Sequence, residues 1–130
     1  MVVVVLLVCA AAATGPSGGV RDSSNSIADK IVRSQIPVVV DFWAAWCAPC
    51  RILDPVIEDL EKEYRNRVLF IKVDVDIHKN LAGYFKVSSI PSIFIIKDKT
   101  VVASLPGVQD KETYRRALDA VLNPPGGDGT

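Results

Sequence analysis

The feature that most constrains the fold is the alternation of apolar strand-like runs with amphipathic helical segments between residues 22 and 122. The run PVVVDFW at residues 37–43 contains three consecutive valines, and a strand that is apolar at successive positions is typical of a sheet covered on both faces. The segment APCRILDPVIEDLEKEYRN at residues 48–66 has apolar residues at helical spacing, with charged residues opposite. This alternation predicts an α/β domain whose parallel strands are joined by helical crossovers.

The full pass along the chain predicts the order α-β-α-β-α-β-β-α. The final helix at residues 109–122 has Asp110 as its cap, and the last two strands are predicted to form a hairpin through the turn KDKT. The remaining predicted elements are a helix in SNSIADKIVRSQ, a strand in VLFIKVDVD, a helix in HKNLAGYFKV, and strands in SSIPSIFIIKD and VVASLPG. We therefore expect a central mixed sheet of four to five strands with helices on both faces.

Length and charge limit the class of protein. The chain has 130 residues, which suffices for one domain with a real core but not comfortably for two. Lys and Arg number 15, and so do Asp and Glu, a balance that argues against a nucleic-acid binder or a polybasic membrane protein. Three cysteines are too few for a scaffold held together by disulfides.

The two ends differ from the middle of the chain. We interpret residues 1–20 as an apolar leader and a Gly-rich linker, residues 21–123 as the domain, and residues 124–130 as a flexible tail. The apolar run at residues 2–13 is shorter than the roughly 20 residues of a membrane-spanning helix, but it suits the core of a signal peptide. No Lys or Arg precedes it, so a genuine leader, a cloning remnant and a misassigned start all stay open. Cys9 lies in this run and is expected to take no part in the chemistry.

The motif WCAPC places Cys47 and Cys50 two residues apart at the start of the second predicted helix. Such a pair is typical of a redox site, of a permanent structural disulfide or of a metal site. Structural zinc takes four ligands, and beyond the pair the sequence offers Cys9 and His78 at no suitable spacing. The sequence therefore favours a redox pair and predicts no metal.

Taken together, these features resemble the thioredoxin family from about Ile27 to Leu122. The resemblance rests on six features in the right order: Asp41 in VVVDFWA, the WCAPC motif, Pro55 inside a helix, Lys72 in IKVDVD, Ile90–Pro91 before a strand, and Gly107 after the last strand. The chain departs from the family pattern at four positions, Ala48, Ser89, Ser92 and Lys99. The family's opening edge strand also has no clear counterpart, unless the leader replaces it or Val20 and Arg21 form a stub of it.

Thiolates, not thiols, attack disulfides, so the site must favour the anion of one cysteine. Cys47 is predicted to lie where unpaired backbone N–H groups and the positive end of a helix dipole point at its sulfur. We assign Cys47 as the exposed nucleophile and Cys50, one turn later and less accessible, as the resolving thiol. Pro49 costs little in the first helical turn, because its missing N–H would have been unpaired there anyway.

The resemblance implies a buried proton acceptor in Asp41. A carboxyl group whose pKa is raised by desolvation can take the proton of Cys50, directly or through water. Lys72 would be its partner on the neighbouring strand and would moderate its charge. From the residues alone, Asp41 is equally compatible with a strand-end hydrogen bond to the backbone, and Lys72 with an ordinary lysine whose stem lies along the surface.

The resemblance also predicts a cis peptide before Pro91 and a backbone at Ile90 that pairs with an extended substrate strand. An uncharged rim around the cysteines would dock substrates, and it consists of Trp46, Ala48, Pro49, Ile90, Pro91, Gly107 and Val108.

The resulting hypothesis is a protein dithiol–disulfide oxidoreductase that reduces disulfide-containing proteins through a reversible Cys47–Cys50 disulfide. The resemblance implies re-reduction by an NADPH-dependent thioredoxin reductase, and we expect a monomer, a cytoplasmic location and no bound cofactor. If the leader is functional, the protein is instead periplasmic or secreted and could be an oxidase, an isomerase or a dedicated reductase. A non-catalytic interaction module on the same fold is a further alternative.

Overall fold

The computed structural model describes residues 23–125, and its elements follow the predicted order. They are α1 (Ser23–Arg33), β1 (Val38–Trp43), α2 (Ala48–Glu63), β2 (Leu69–Asp74), α3 (Lys79–Tyr84), β3 (Ser92–Lys97), β4 (Thr100–Pro106) and α4 (Lys111–Leu122). The interpretations of the leader, of Cys9, of the linker and of residues 126–130 lie outside the described residues and stay predictions.

The described strands form one four-stranded mixed sheet in the order β2-β1-β3-β4. Strands β1 and β2 are parallel, while β1 with β3 and β3 with β4 are antiparallel. In this register Asp41 lies opposite Lys72 across the β1–β2 pair. The predicted hairpin of the last two strands is confirmed, and so is a mixed sheet with four strands in this part of the chain.

Helices cover both faces of the sheet, which explains why the valine run is apolar at every position. Val39 belongs to a core cluster shared with α2 and α4, whereas Val38 and Val40 belong to a second cluster shared with α1 and α3. None of the three valines is more than 2% exposed. Burial at this level is worth about 1.5–3 kcal/mol for each such side chain, so the centre of β1 is firmly held beneath the site that follows it.

Local sequence also sets where α2 and α4 begin. Pro49 lies in the first turn of α2, and Pro55 lies inside the same helix, as the sequence predicts. Asp110 caps α4, and its carboxylate accepts a hydrogen bond of 2.8 Å from the backbone N–H of Thr113. The β3–β4 turn places Asp98 and Lys99 at φ values of 52° and 66°, so Lys99 occupies a left-handed conformation that glycine adopts more easily.

Candidate active site

The sulfur of Cys47 caps the N-terminus of α2. Cys47 has extended backbone angles, and its Sγ accepts a hydrogen bond of 3.2 Å from the backbone N–H of Cys50. The sulfurs of Cys47 and Cys50 are joined in a disulfide. A helix N-terminus favours negative charge, because its first N–H groups have no partners within the helix. This geometry would stabilise a thiolate at Cys47 once the disulfide is opened.

The predicted difference in exposure between the two cysteines is wrong for the disulfide form. Cys47 and Cys50 are each 3% exposed. Both pack in a small cluster with Ala44, against which Trp43 and Ile90 also lie. Because each sulfur bonds the other and this apolar shell surrounds both, the disulfide hides Cys47 as fully as Cys50.

Several residues of the predicted rim lie at the surface around this cluster. The indole of Trp46 is 67% exposed and donates a hydrogen bond of 2.8 Å from Nε1 to Oδ2 of Asp76. Trp46 and Ile90 line a groove of about 360 Å³ together with Ser88 and Ser89. The other exposed members of the rim are Ala48, Pro49 and Val108.

The loop after β4 is tied to Pro91. The predicted cis peptide between Ile90 and Pro91 is confirmed, although Pro91 itself is buried. The carbonyl of Pro91 accepts a hydrogen bond of 2.8 Å from the backbone N–H of Gly107, whose φ of 76° is a conformation suited to glycine.

Tyr114 of α4 is hydrogen-bonded to the loop after β4, and the sequence did not indicate this role. Its side chain is 2% exposed, and its hydroxyl accepts a bond of 3.1 Å from the N–H of Gln109 and donates one of 3.3 Å to the carbonyl of Gly107. Burial raises the pKa of Tyr114, so the hydroxyl stays protonated and able to donate. Its position in an amphipathic helix indicated an ordinary core residue.

Asp41 is buried beneath α2, as predicted. It is 3% exposed, and its Oδ1 has no hydrogen-bond partner among residues 23–125. Desolvation raises the pKa of Asp41 to about 6; the charge of Lys72 opposes this rise and the charge of Asp54 adds to it. A carboxyl group with this pKa can exchange a proton near neutral pH.

The ammonium of Lys72 makes its ion pair with Asp54 in α2, at 2.9 Å from Oδ1, although the register of the sheet places Lys72 opposite Asp41. The same ammonium lies 4.8 Å from the centre of the Trp43 ring. Asp54 was not among the predicted site residues. Its spacing of four residues from Cys50 places it on the same side of α2 as that cysteine, a signal that the sequence did contain.

Neither a metal centre nor a membrane span is found in residues 23–125. No group of three or more His, Cys, Asp or Glu side chains there is arranged to hold a metal ion. No helix in that part of the chain has both the length and the apolar character that crossing a bilayer requires.

Comparison with known proteins agrees with the fold and the cysteine pair. A family model described as Thioredoxin matches residues 20–120. The chain belongs to the thioredoxin family. The family match includes β1, the cysteine pair, Asp41, Lys72 and the Ile90–Pro91 peptide.

Individual relatives extend this similarity across bacteria and organelles. Thioredoxin 1 of Synechococcus elongatus is 38% identical over 93 residues, which cover 72% of this chain and 87% of that protein. The mitochondrial thioredoxin of Mus musculus is 42% identical over 94 residues, covering 72% of this chain and 57% of that protein. The chloroplastic M-type thioredoxin of Chlamydomonas reinhardtii is 33% identical over 107 residues, covering 82% and 75% respectively.

The family and the geometry of the pair together define the chemistry. This thioredoxin-family chain carries two cysteines at disulfide-bonding distance, with the first at a helix N-terminus. It is a thioredoxin-type protein dithiol–disulfide oxidoreductase, and the sequence-based prediction of its fold and activity is confirmed.

Proposed function

We propose that the protein works as a reductant of protein disulfides, with Cys47 as nucleophile and Cys50 as resolving thiol. The thiolate of Cys47 attacks a substrate disulfide, forms a mixed disulfide and releases one substrate thiolate. Cys50 then loses its proton and attacks Sγ of Cys47, which breaks the mixed disulfide and releases the second substrate sulfur. The protein is oxidised by two electrons, and the substrate disulfide is reduced to two thiols.

The position of the Cys47 sulfur at the N-terminus of α2 is the main support for Cys47 as the nucleophile. The Sγ of Cys47 accepts the N–H of Cys50 at the start of α2, whereas Cys50 lies inside the first turn. The helix terminus therefore favours negative charge on Cys47 in particular.

Asp41 is the proposed proton acceptor for Cys50. Its burial, its unpartnered Oδ1 and its pKa of about 6 support this role, because a base of this strength takes and returns protons at neutral pH. Lys72 has the proposed role of moderating the charge of that carboxylate. The proton of Cys50 passes to Asp41 during resolution and then to the departing substrate thiolate.

The proposed docking surface is the rim around the cysteines. The exposed indole of Trp46, its groove with Ile90, and the link from Pro91 to Gly107 support it. An extended substrate segment would pair with the backbone at Ile90 while its disulfide approaches Cys47. Ala48, Pro49 and Val108 would add apolar contacts.

We further propose that an NADPH-dependent thioredoxin reductase re-reduces the Cys47–Cys50 disulfide, that no cofactor is bound and that the protein is a monomer. The proposed location is cytoplasmic, with a periplasmic or secreted location if residues 1–13 form a functional leader. The proposed domain spans residues 21–123. Mass spectrometry of the mature N-terminus in the native host would decide between these locations.

The experiment that tests the function measures insulin reduction with dithiothreitol as donor, and separately with NADPH and a bacterial thioredoxin reductase. We expect turnover with both donors, loss of turnover in Cys47→Ser, and a low reduction potential. A high potential with thiol oxidation would instead indicate an oxidase, and absence of thiol-dependent turnover would indicate an interaction module.

In the same assay Asp41→Asn should slow turnover at pH 7 by at least about tenfold. Unchanged rates between pH 6 and 9 would remove Asp41 from the mechanism.

A further inference from the structure

A cavity of about 260 Å³ lies between α2 and β2 and reaches the buried Asp41. Four charged side chains lie around it at the partly exposed surface of the two elements: Lys72 from β2, and Asp54, Glu58 and Glu61 from α2. Lys72 and Asp54 form an ion pair of 2.9 Å. The cavity thus connects a buried carboxylate with an ion pair at the protein surface.

We propose that Asp54 is a positioning residue for the reaction of the cysteine pair: it holds the ammonium of Lys72 in an ion pair and thereby limits how strongly that charge stabilises the ionised Asp41 carboxylate. The proposal rests on the role of Asp41 as proton acceptor. Asp54 acts on Asp41 through its ion pair with Lys72.

The register of the sheet explains why such a residue is needed. Paired residues on adjacent strands point to the same face, so Lys72 lies on the side of the sheet that Asp41 faces. The lysine stem is long and flexible, and within the described part of the chain Oδ1 of Asp41 has no hydrogen-bond partner that would compete with the ammonium. Without Asp54, the ammonium keeps its weaker contact with the Trp43 ring, and it can turn toward Asp41.

The two charges act on Asp41 in opposite directions. Lys72 lowers the pKa of Asp41, whereas Asp54 raises it. Removing the charge of Asp54 lowers the proton affinity of Asp41 twice: the repulsion disappears, and the released ammonium moves closer. A carboxylate with a lower pKa is a weaker base for the proton of Cys50, so resolution slows.

Other titratable groups around Asp41 provide controls. From α4, Tyr114 has a pKa that burial raises and to which the charge of Asp41 adds, so its hydroxyl stays protonated. From α2, Glu58 and Glu61 line the same cavity, but within residues 23–125 neither is bonded to Lys72. Glu58→Gln therefore removes a negative charge from the cavity wall without releasing Lys72, and it is the matched control for Asp54→Asn.

The test is a direct titration of the Asp41 carboxyl by carbon-13 NMR in the full-length oxidised protein, with the pH profile of mixed-disulfide resolution as second readout. We expect Asp54→Asn to lower the pKa of Asp41 by roughly one unit and to move the acid limb of the rate profile the same way. Asp54→Glu should restore both. Lys72→Met should raise the pKa of Asp41, and in that background Asp54→Asn should produce a much smaller shift.

The outcomes separate this inference from the mechanism on which it rests. If Asp41→Asn slows resolution but Asp54→Asn behaves like Glu58→Gln, Asp54 has no positioning role while Asp41 keeps its own. If Asp54→Asn causes the same shift with and without Lys72, it does not act through Lys72 and the inference is overturned. If Asp41→Asn leaves resolution unchanged, the proton-acceptor role fails and this inference fails with it.

Discussion

Asp41 lies opposite Lys72 in the β1–β2 register, yet Lys72 makes its ion pair with Asp54, and Oδ1 of Asp41 has no partner in the part of the chain that the structure describes. A buried carboxylate without a hydrogen-bonding partner lowers the stability of the fold whenever it is ionised. The arrangement therefore makes the stability of the fold depend on pH.

The first prediction concerns this pH dependence. The pKa of Asp41 is raised from 3.8 to about 6 by folding, so the folded state holds its proton more tightly than the unfolded chain does. The free energy of unfolding should therefore fall as pH rises from about 4 to about 6, by about 3 kcal/mol for this group. Asp41→Asn removes the effect, so its stability relative to the unmodified protein should rise by that amount between pH 3 and pH 8.

Urea unfolding of both oxidised proteins at several pH values measures this difference, and the titration of all other groups cancels in the comparison. A stability difference that stays constant from pH 3 to pH 8 would show that Asp41 carries no raised pKa in the folded protein.

The second prediction concerns the order of the two cysteines. In a Cys9→Ser background, Cys50→Ser should accumulate a mixed disulfide with a substrate protein, because Cys47 can attack but nothing resolves the product. Cys47→Ser should accumulate almost none, since Cys50 lies inside the helix turn. Non-reducing gels and peptide mass spectrometry identify the bonded sulfur. Equal trapping by both variants, or trapping at Cys50 alone, would reverse the assignment.

The third prediction assigns a function to the hydroxyl of Tyr114. Tyr114→Phe removes the bonds to Gln109 and Gly107 that hold the loop beside Pro91. We expect a stability loss of about 1–2 kcal/mol and a several-fold increase in KM for insulin, with kcat nearly unchanged.

Tyr64→Phe is the matched control for Tyr114→Phe, because the hydroxyl of Tyr64 is also bonded, at 2.6 Å, but to Asp119 of α4 and not to the loop after β4. It should lose a comparable amount of stability and leave KM unchanged. If both variants change KM alike, the effect is a general loss of stability and not a change in the docking loop.

The sequence contained most of the fold and the chemical core of the site, because these depend on local patterns. The valine run, the helical spacing of α2 and the WCAPC motif each carry their own signal, and the structure agrees with the elements they predict. The register that places Asp41 beside Lys72 followed from the resemblance, and the cis peptide at Pro91 did too.

The features that the sequence did not disclose depend on contacts between distant elements. The pairing of Lys72 with Asp54 requires knowledge of how α2 lies over β2, and the role of the Tyr114 hydroxyl requires the path of the loop after β4. The burial of Cys47 was missed for a different reason: helix position indicates the charge that a sulfur favours, not how much of it the neighbours cover.

The fourth prediction concerns the β3–β4 turn. Lys99 has a φ of 66°, a left-handed conformation that costs a residue with a Cβ roughly 1 kcal/mol. Lys99→Gly should therefore stabilise the protein by about 0.5–1 kcal/mol in urea unfolding, without changing insulin reduction. Asp98 has a similar φ of 52°, but aspartate tolerates it better, so Asp98→Gly should gain less. Equal gains, or a loss at Lys99, would contradict the strain argument.

The fifth prediction concerns substrate contact at Trp46. The indole is 67% exposed but held by its bond to Asp76, so it offers a large apolar surface at little further cost in side-chain entropy. Trp46→Ala should raise KM for insulin several-fold and leave the stability nearly unchanged. Tyr84→Ala is the control, because Tyr84 is 80% exposed but lies on α3 and does not line the groove of Trp46 and Ile90. If Tyr84→Ala raises KM as much as Trp46→Ala does, exposed aromatic area in general, and not the rim around the cysteines, binds the substrate.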